Sequence, residues 1–186
     1  MSKAKQDDLQ SILDLIQSKF GKASAIIPAQ DPARSEVTEA IPTGIDVLDN
    51  YVFGVGGLPV GRAMEMFSPE GGGKTTFAWT ALGAAIRHGS FVVYADQEQS
   101  FDEKRAALFG ADPSKFLLLQ PITMEETMEQ VSEVVSKIKY DGPVLVVWDS
   151  IASAQFVAEM TGRFVKDNVD TRAKQLGKFC RTIMAQ

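Results

Sequence analysis

Ser68-Pro69-Glu70-Gly71-Gly72-Gly73-Lys74-Thr75-Thr76 lies between an apolar run, Ala63-Met64-Glu65-Met66-Phe67, and a stretch from Thr75 to His88 that is apolar almost all round. Successive backbone N–H groups in such a glycine-rich turn point into one concavity and bind phosphate oxygens. Gly71, Gly72 and Gly73 put no Cβ between the backbone and the anion. The pattern predicts a strand, a loop for a nucleoside triphosphate, and a helix whose positive end faces the anion. Lys74 would reach the β and γ phosphates and the Thr75 hydroxyl would ligate Mg²⁺. A chance match in a glycine-rich turn is the alternative, and the flanking strand and uncapped helix count against it. The usual pattern opens on Gly where this chain has Ser68. Ser tolerates fewer backbone conformations, so the turn is expected to sit in an ordinary region there or to be mildly strained.

Downstream, strand and helix patterns alternate. Phe91-Val92-Val93-Tyr94-Ala95-Asp96, Phe116-Leu117-Leu118-Leu119 and Val144-Leu145-Val146-Val147-Trp148-Asp149 read as strands. Their near-continuous apolar character is typical of parallel sheets. Glu103 to Phe109 reads as a short helix. Thr123-Met124-Glu125-Glu126 reads as a capping box opening a helix with Met128, Val131, Val135 and Ile138 inward, and Asp170 to Gln186 as a final helix. The succession predicts an α/β fold of the P-loop type, three-layered, with a mostly parallel central sheet. Ligands of such sheets bind at the carboxyl edge. Asp149 ends a strand there, about seventy-five residues after the loop, where a second carboxylate would hold Mg²⁺ through water. Asp96-Gln97-Glu98 reaches the same edge. Hydrolysis needs a group to orient or deprotonate the attacking water. Glu98 is the first candidate and Asp96 its competitor, with capping of the next turn as the plain alternative, above all for Asp102.

The 186 residues allow one domain with a real core, and 45% hydrophobic with 23% charged residues is ordinary for a soluble globular protein. No apolar run reaches the length of a membrane span. One cysteine, Cys180, fits a reducing compartment, and one histidine, His88, leaves little for a zinc site, so the cytoplasm is expected. Asp7 to Phe20 reads as a helix with Leu9, Ile12, Leu13, Ile16 and Phe20 on one stripe. That stripe would pack on its own domain or on a neighbouring subunit. A linker with Pro28 and Pro32 follows, with a short strand expected at Ala25-Ile26-Ile27. The division expected is 1–40 for helix and linker and 41–186 for the core. The net charge is −5, yet the end of the chain carries Arg163, Lys166, Arg172, Lys174, Lys178 and Arg181 against Asp167 and Asp170. Such a basic end points to a local anionic partner or to a solvated helix face.

Taken together, these stretches resemble the RecA family of homologous-recombination ATPases, in its bacterial and bacteriophage branch. The resemblance is carried by Ser18-Lys19-Phe20-Gly21-Lys22, Pro42-Thr43-Gly44 with Gly56-Gly57-Leu58-Pro59-Val60-Gly61-Arg62, Pro69 to Thr76, Asp96-Gln97-Glu98 with Phe101-Asp102, and Val146-Val147-Trp148-Asp149-Ser150-Ile151-Ala152. It implies ATP and Mg²⁺ as cofactors, with Ser68, Pro69, Glu70, Gly71, Gly72, Gly73, Lys74, Thr75 and Thr76 on the nucleotide and Thr75 and Asp149 at the metal. It implies Glu98 as the catalytic glutamate and Asp102 as an adenine contact. Arg105 lies where bacterial members often place an aromatic residue against the base. The first helix resembles the segment that docks on the adjacent protomer of a helical filament, with nucleotide between protomers. Glu159 to Asn168 resembles the first DNA-binding loop, with Arg163, Phe164 and Lys166 facing DNA. In the helix after it, Arg172, Lys174, Lys178 and Arg181 are basic, and Lys174, Lys178 and Arg181 share one face opposite Leu176, Cys180 and Ile183, suited to backbone phosphates. The activity implied is an ATP-hydrolysing recombinase that assembles on single-stranded DNA and pairs it with a duplex. A non-hydrolysing regulatory module of the same fold and a helicase-type motor are the alternatives.

In that family the next element beyond Gln186 is a strand lying between the strands at Met66 and Val147. The sheet is therefore expected to be incomplete, with a gap between these two, and the chain to be part of a longer one.

Overall fold

A computed structural model of the chain describes residues 3–22, 37, 39–160 and 168–184. The chain divides into two compact units, Met1–Thr38 and Glu39–Gln186. The first holds helix α1 (Lys3–Phe20), on which Leu9, Ile12, Leu15 and Phe20 are exposed. The strand expected at Ala25-Ile26-Ile27 lies outside the described residues.

The second unit is built on a three-strand parallel sheet of order β4-β3-β5, where β3 is Phe91–Asp96, β4 is Leu117–Leu119 and β5 is Val144–Asp149. Strand alternation sorts the side chains. Val92 and Tyr94 of β3, with Leu145 and Val147 of β5, meet Trp79, Leu82 and Ala85 of helix α2 (Lys74–His88). Val93 and Ala95 are buried on the other face, where α4 (Met124–Lys137) lies against β3 and α6 (Asn168–Ile183) against α4. The result is an α/β arrangement of three layers. Burial on α4 falls on Met124, Thr127 and Val131, one turn earlier than the periodicity predicts, and the helix ends before Ile138. The capping box is present: Thr123 Oγ1 accepts from the Glu126 N–H at 3.2 Å, and Glu126 Oε2 accepts from the Thr123 N–H at 3.3 Å.

Ahead of α2 the chain makes a two-strand antiparallel ribbon, β1 (Ala40–Ile41) with β2 (Leu58–Pro59). The intervening turn is held by Asp49, whose carboxylate accepts from both the Thr43 N–H, at 3.0 Å, and the Thr43 hydroxyl, at 2.6 Å. Both residues are buried, so Pro42-Thr43-Gly44 serves as an internal clasp.

One expectation fails. Ala63–Phe67 forms no strand, and Phe67 is 87% exposed. A strand exists only where a neighbour completes its ladder. Ala63–Phe67 has no such neighbour, and β5 pairs with β3 alone among the described residues. The side of β5 away from β3 is thus left unpaired among the described residues, and the second strand of the expected gap does not form. This also explains why all six residues of β5 are only half-buried while five of the six in β3 are buried. Among the described residues no helix is long and apolar enough to cross a membrane.

Gly83 shows how closely α2 sits on its neighbours. A Cβ there would collide with the Phe109 carbonyl and with Gly110, which follow helix α3 (Glu103–Leu108). Gly83→Val should therefore lower the unfolding free energy by about 1–3 kcal/mol in urea denaturation, whereas Gly177→Ala on α6, where an added methyl has room, should not.

Candidate functional site

The register of β3 on β5 sets Asp96 opposite Asp149 at the carboxyl edge of the sheet. The same edge receives the start of α2. Thr75 Oγ1 donates to Asp149 Oδ2 at 2.8 Å, so the two predicted metal residues, 74 positions apart, are in contact. Tyr94 donates its hydroxyl to the same Oδ2, also at 2.8 Å. Among the described residues no cation pairs with Asp149, and its other oxygen receives no donor.

The turn from Ser68 to Gly73 leads into α2 with Gly73 in the left-handed region, φ 85°, and no side chain caps the helix. Its first N–H groups are therefore available to an anion. Ser68 is outside the left-handed region, so the ordinary-region alternative holds for the unusual first position. The Ser68 hydroxyl instead occupies the space beside Gly72, where an added Cβ would strike it and the Pro69 carbonyl. Lys74 Nζ lies back across the turn, donating to the carbonyls of Ser68, at 3.1 Å, and Pro69, at 3.3 Å. Glu70 is exposed, and the Thr76 carbonyl accepts from the Thr80 hydroxyl at 2.8 Å within the helix.

These donors and acceptors fit the group the sequence predicts. Amide N–H groups and one lysine suit phosphate oxygens, and a hydroxyl beside a carboxylate suits a hard divalent ion. Among the described residues no cluster of three or more His, Cys, Asp or Glu could cage an ion. An Mg²⁺ held here would thus complete its shell with phosphate and water, as that ion commonly does.

The two competing carboxylates separate clearly. Asp96 is buried and accepts from the N–H groups of Ser100, at 3.2 Å, and Phe101, at 3.0 Å. It shapes the turn. Glu98 is exposed and accepts from Ser150 Oγ at 2.8 Å, the residue that follows Asp149. Between them, Gln97 turns inward: its amide donates to the Ile122 carbonyl at 3.0 Å, and its oxygen accepts from the Thr127 hydroxyl. Glu98 is therefore carried by a loop anchored on both sides. Asp102 caps α3, accepting from the Arg105 N–H at 3.0 Å. The Arg105 guanidinium lies 5.6 Å from the Trp79 ring centre, so one face of its plane is already used.

Of the residues assigned to DNA, Arg163, Phe164 and Lys166 lie outside the described residues. Lys174, Lys178 and Arg181 are exposed on α6, while Leu176, Cys180 and Ile183 are half-buried, which is the amphipathic split the sequence predicts. Arg172 differs. Its guanidinium donates to the carbonyls of Ile151, at 2.8 Å, and Ala154, at 2.6 Å, and lies over Phe156. An arginine that saturates backbone carbonyls is a tie between α6 and the segment after β5, so Arg172 does not belong with the exposed basic set.

Sequence reasoning missed Tyr94, Ser150 and Gln97 as participants. Tyr94 had a signal: it lies two positions before Asp96 on β3 and so shares its face. Burial first, and then the neighbouring Asp149 carboxylate, push its phenol well above the ordinary tyrosine range, so it remains a donor. Ser150 and Gln97 stand within the stretches that carry the resemblance, but nothing in the sequence marked the partners they hold.

Fold and site together define an α/β domain with a partial RecA-type core. Comparison with known proteins takes this further: the family described as RecA N-terminal domain matches residues 7–186, and the chain belongs to the RecA family. It is 32% identical over its whole length to Protein RecA of Thermus thermophilus, of which it covers 53%. It is 36% identical over 175 residues to Protein RecA of Paenarthrobacter aurescens, covering 94% of this chain and 49% of that one, and 32% identical over 182 residues to Protein RecA of Bacteroides thetaiotaomicron, covering 98% and 53%. The chain spans about half the length of these curated relatives.

The two carboxylates are separable by experiment. Asp96→Asn turns an amide donor on backbone N–H groups and should cost about 1–3 kcal/mol of stability in urea unfolding. Glu98→Gln, at an exposed position, should change it by less than about 0.5 kcal/mol.

Proposed function

We propose that this chain carries the ATP- and Mg²⁺-binding part of a recombinase that assembles on single-stranded DNA and, as a whole protein, hydrolyses ATP while pairing that strand with a duplex. The contact of Thr75 with Asp149 at the uncapped start of α2 carries the reading, because it joins a hydroxyl, a carboxylate and a phosphate-accepting helix end at one point. Lys74 leaves the Ser68 and Pro69 carbonyls for the β and γ phosphate oxygens. Thr75 and Asp149 hold the metal, which when bound neutralises developing charge on the phosphates. Glu98, oriented by Ser150, takes the role of general base toward the attacking water. Asp102 and Arg105 stand on the adenine side.

Family membership supports the DNA side of the proposal. Lys174, Lys178 and Arg181 present an exposed basic stripe that would follow backbone phosphates, with Arg163, Phe164 and Lys166 in the segment before it. The exposed apolar residues of α1 suit docking on a neighbouring protomer, which would place the protein in a filament.

Binding of a fluorescent ATP analogue to the 186-residue chain, together with ATPase rates of the chain extended to the length of its relatives, tests this. Lys74→Ala should lose nucleotide binding in both. Glu98→Gln should keep binding and lose at least about 100-fold in rate, the scale of general-base catalysis. Single-stranded DNA should raise the wild-type rate. Binding without any stimulation by DNA would favour a regulatory module over a recombinase.

A further inference from the structure

Tyr94 places a hydroxyl deep between β3 and α2. It is 1% exposed and belongs to the cluster with Trp79, Leu82 and Val92. Its ring lies 5.4 Å from that of Phe101. The apolar packing of the ring would be met by phenylalanine, and a hydroxyl inside an apolar layer costs free energy unless it is satisfied. It is satisfied by one acceptor, Asp149 Oδ2, on the neighbouring strand.

That oxygen also receives Thr75. Two hydroxyls from two different elements, β3 and the start of α2, therefore converge on the same carboxylate oxygen, and neither reaches the other one. A carboxylate held by a single donor can turn about its Cβ–Cγ bond. Held from two directions at Oδ2, it presents a fixed Oδ1. Thr75 would in addition have to serve the metal with its own oxygen, while Tyr94, buried in the core, has no such second duty.

We propose that Tyr94 is a positioning residue: its hydroxyl clamps Oδ2 of Asp149, so that Oδ1 is reserved for the water shell of the Mg²⁺ that accompanies the nucleotide. The proposal rests on the nucleotide-site reading above. It assigns the tyrosine no contact with metal or nucleotide. Its effect is confined to how readily the metal is recruited, because phosphate binding by Lys74 and the amides of the turn does not pass through Asp149.

The test is a titration of Mg²⁺ into the 186-residue chain with a fluorescent ATP analogue, comparing wild type, Tyr94→Phe, Asp149→Asn and the double variant. Tyr94→Phe should raise the Mg²⁺ concentration at half-maximal nucleotide binding by about 10-fold, the scale on which partners of metal ligands act. Nucleotide affinity in EDTA should stay at the wild-type value. In the Asp149→Asn background Tyr94→Phe should add no shift, since its route to the metal is gone. Melting of the nucleotide-free proteins separates packing from positioning. A Tyr94→Phe protein that melts earlier but keeps the wild-type Mg²⁺ midpoint overturns the proposal. So does a shift of the same size with and without Asp149. If wild type binds no nucleotide, or Lys74→Ala binds it equally well, the nucleotide-site reading falls and this proposal with it. If wild type binds, Lys74→Ala does not, and Tyr94→Phe matches wild type, only the role of Tyr94 falls.

Discussion

The ladder between β3 and β5 is the constraint on which the remainder of the site depends. It runs from Phe91 opposite Val144 to Asp96 opposite Asp149 without a break. A slip of one residue would turn every side chain to the opposite face. Asp149 would leave the side of α2, Thr75 and Tyr94 would lose their common acceptor, and Trp148 would exchange its edge contact with Phe179 of α6 for a place against α2. The register is fixed by the apolar residues that both faces must bury, so the chemistry at the sheet edge inherits its accuracy from packing well below it.

A second tie secures the segment after β5. Arg172 holds the carbonyls of Ile151 and Ala154, while Ser150 in the same segment holds Glu98. The segment lies between a helix with an exposed basic stripe and the exposed carboxylate of Glu98. Gln97 and Thr127 brace the loop from the opposite side, through α4. The segments on either side of Glu98 are thus tied to two helices, α4 and α6.

Much of this was legible in the sequence because it follows from local rules. Uninterrupted apolar runs gave β3, β4 and β5, the Thr123–Glu126 box gave the start of α4, and the glycine-rich turn ahead of an uncapped helix gave the position of the candidate loop. What escaped reading depends on partners distant in the chain. Ala63–Phe67 has strand composition but no neighbour to complete it. Arg172 looks like its basic neighbours until the carbonyls of Ile151 and Ala154 come within reach. Spacing alone left Asp96 as a competitor to Glu98, because the two carboxylates differ in burial and in backbone N–H partners, which spacing does not reveal.

The edge of β5 that is unpaired among the described residues has a consequence for how this 186-residue chain behaves in solution. An unpaired strand edge is a template for any extended segment, and the stretch 63–67, far from β5 in the sequence, is exposed and belongs to no strand. Two copies of the chain could satisfy each other's backbone groups by exchange of such segments. Association of this kind would pass through β5, whereas association through the exposed apolar residues of α1 would leave that edge free. A sedimentation profile can therefore contain two different oligomers with the same mass and opposite meanings.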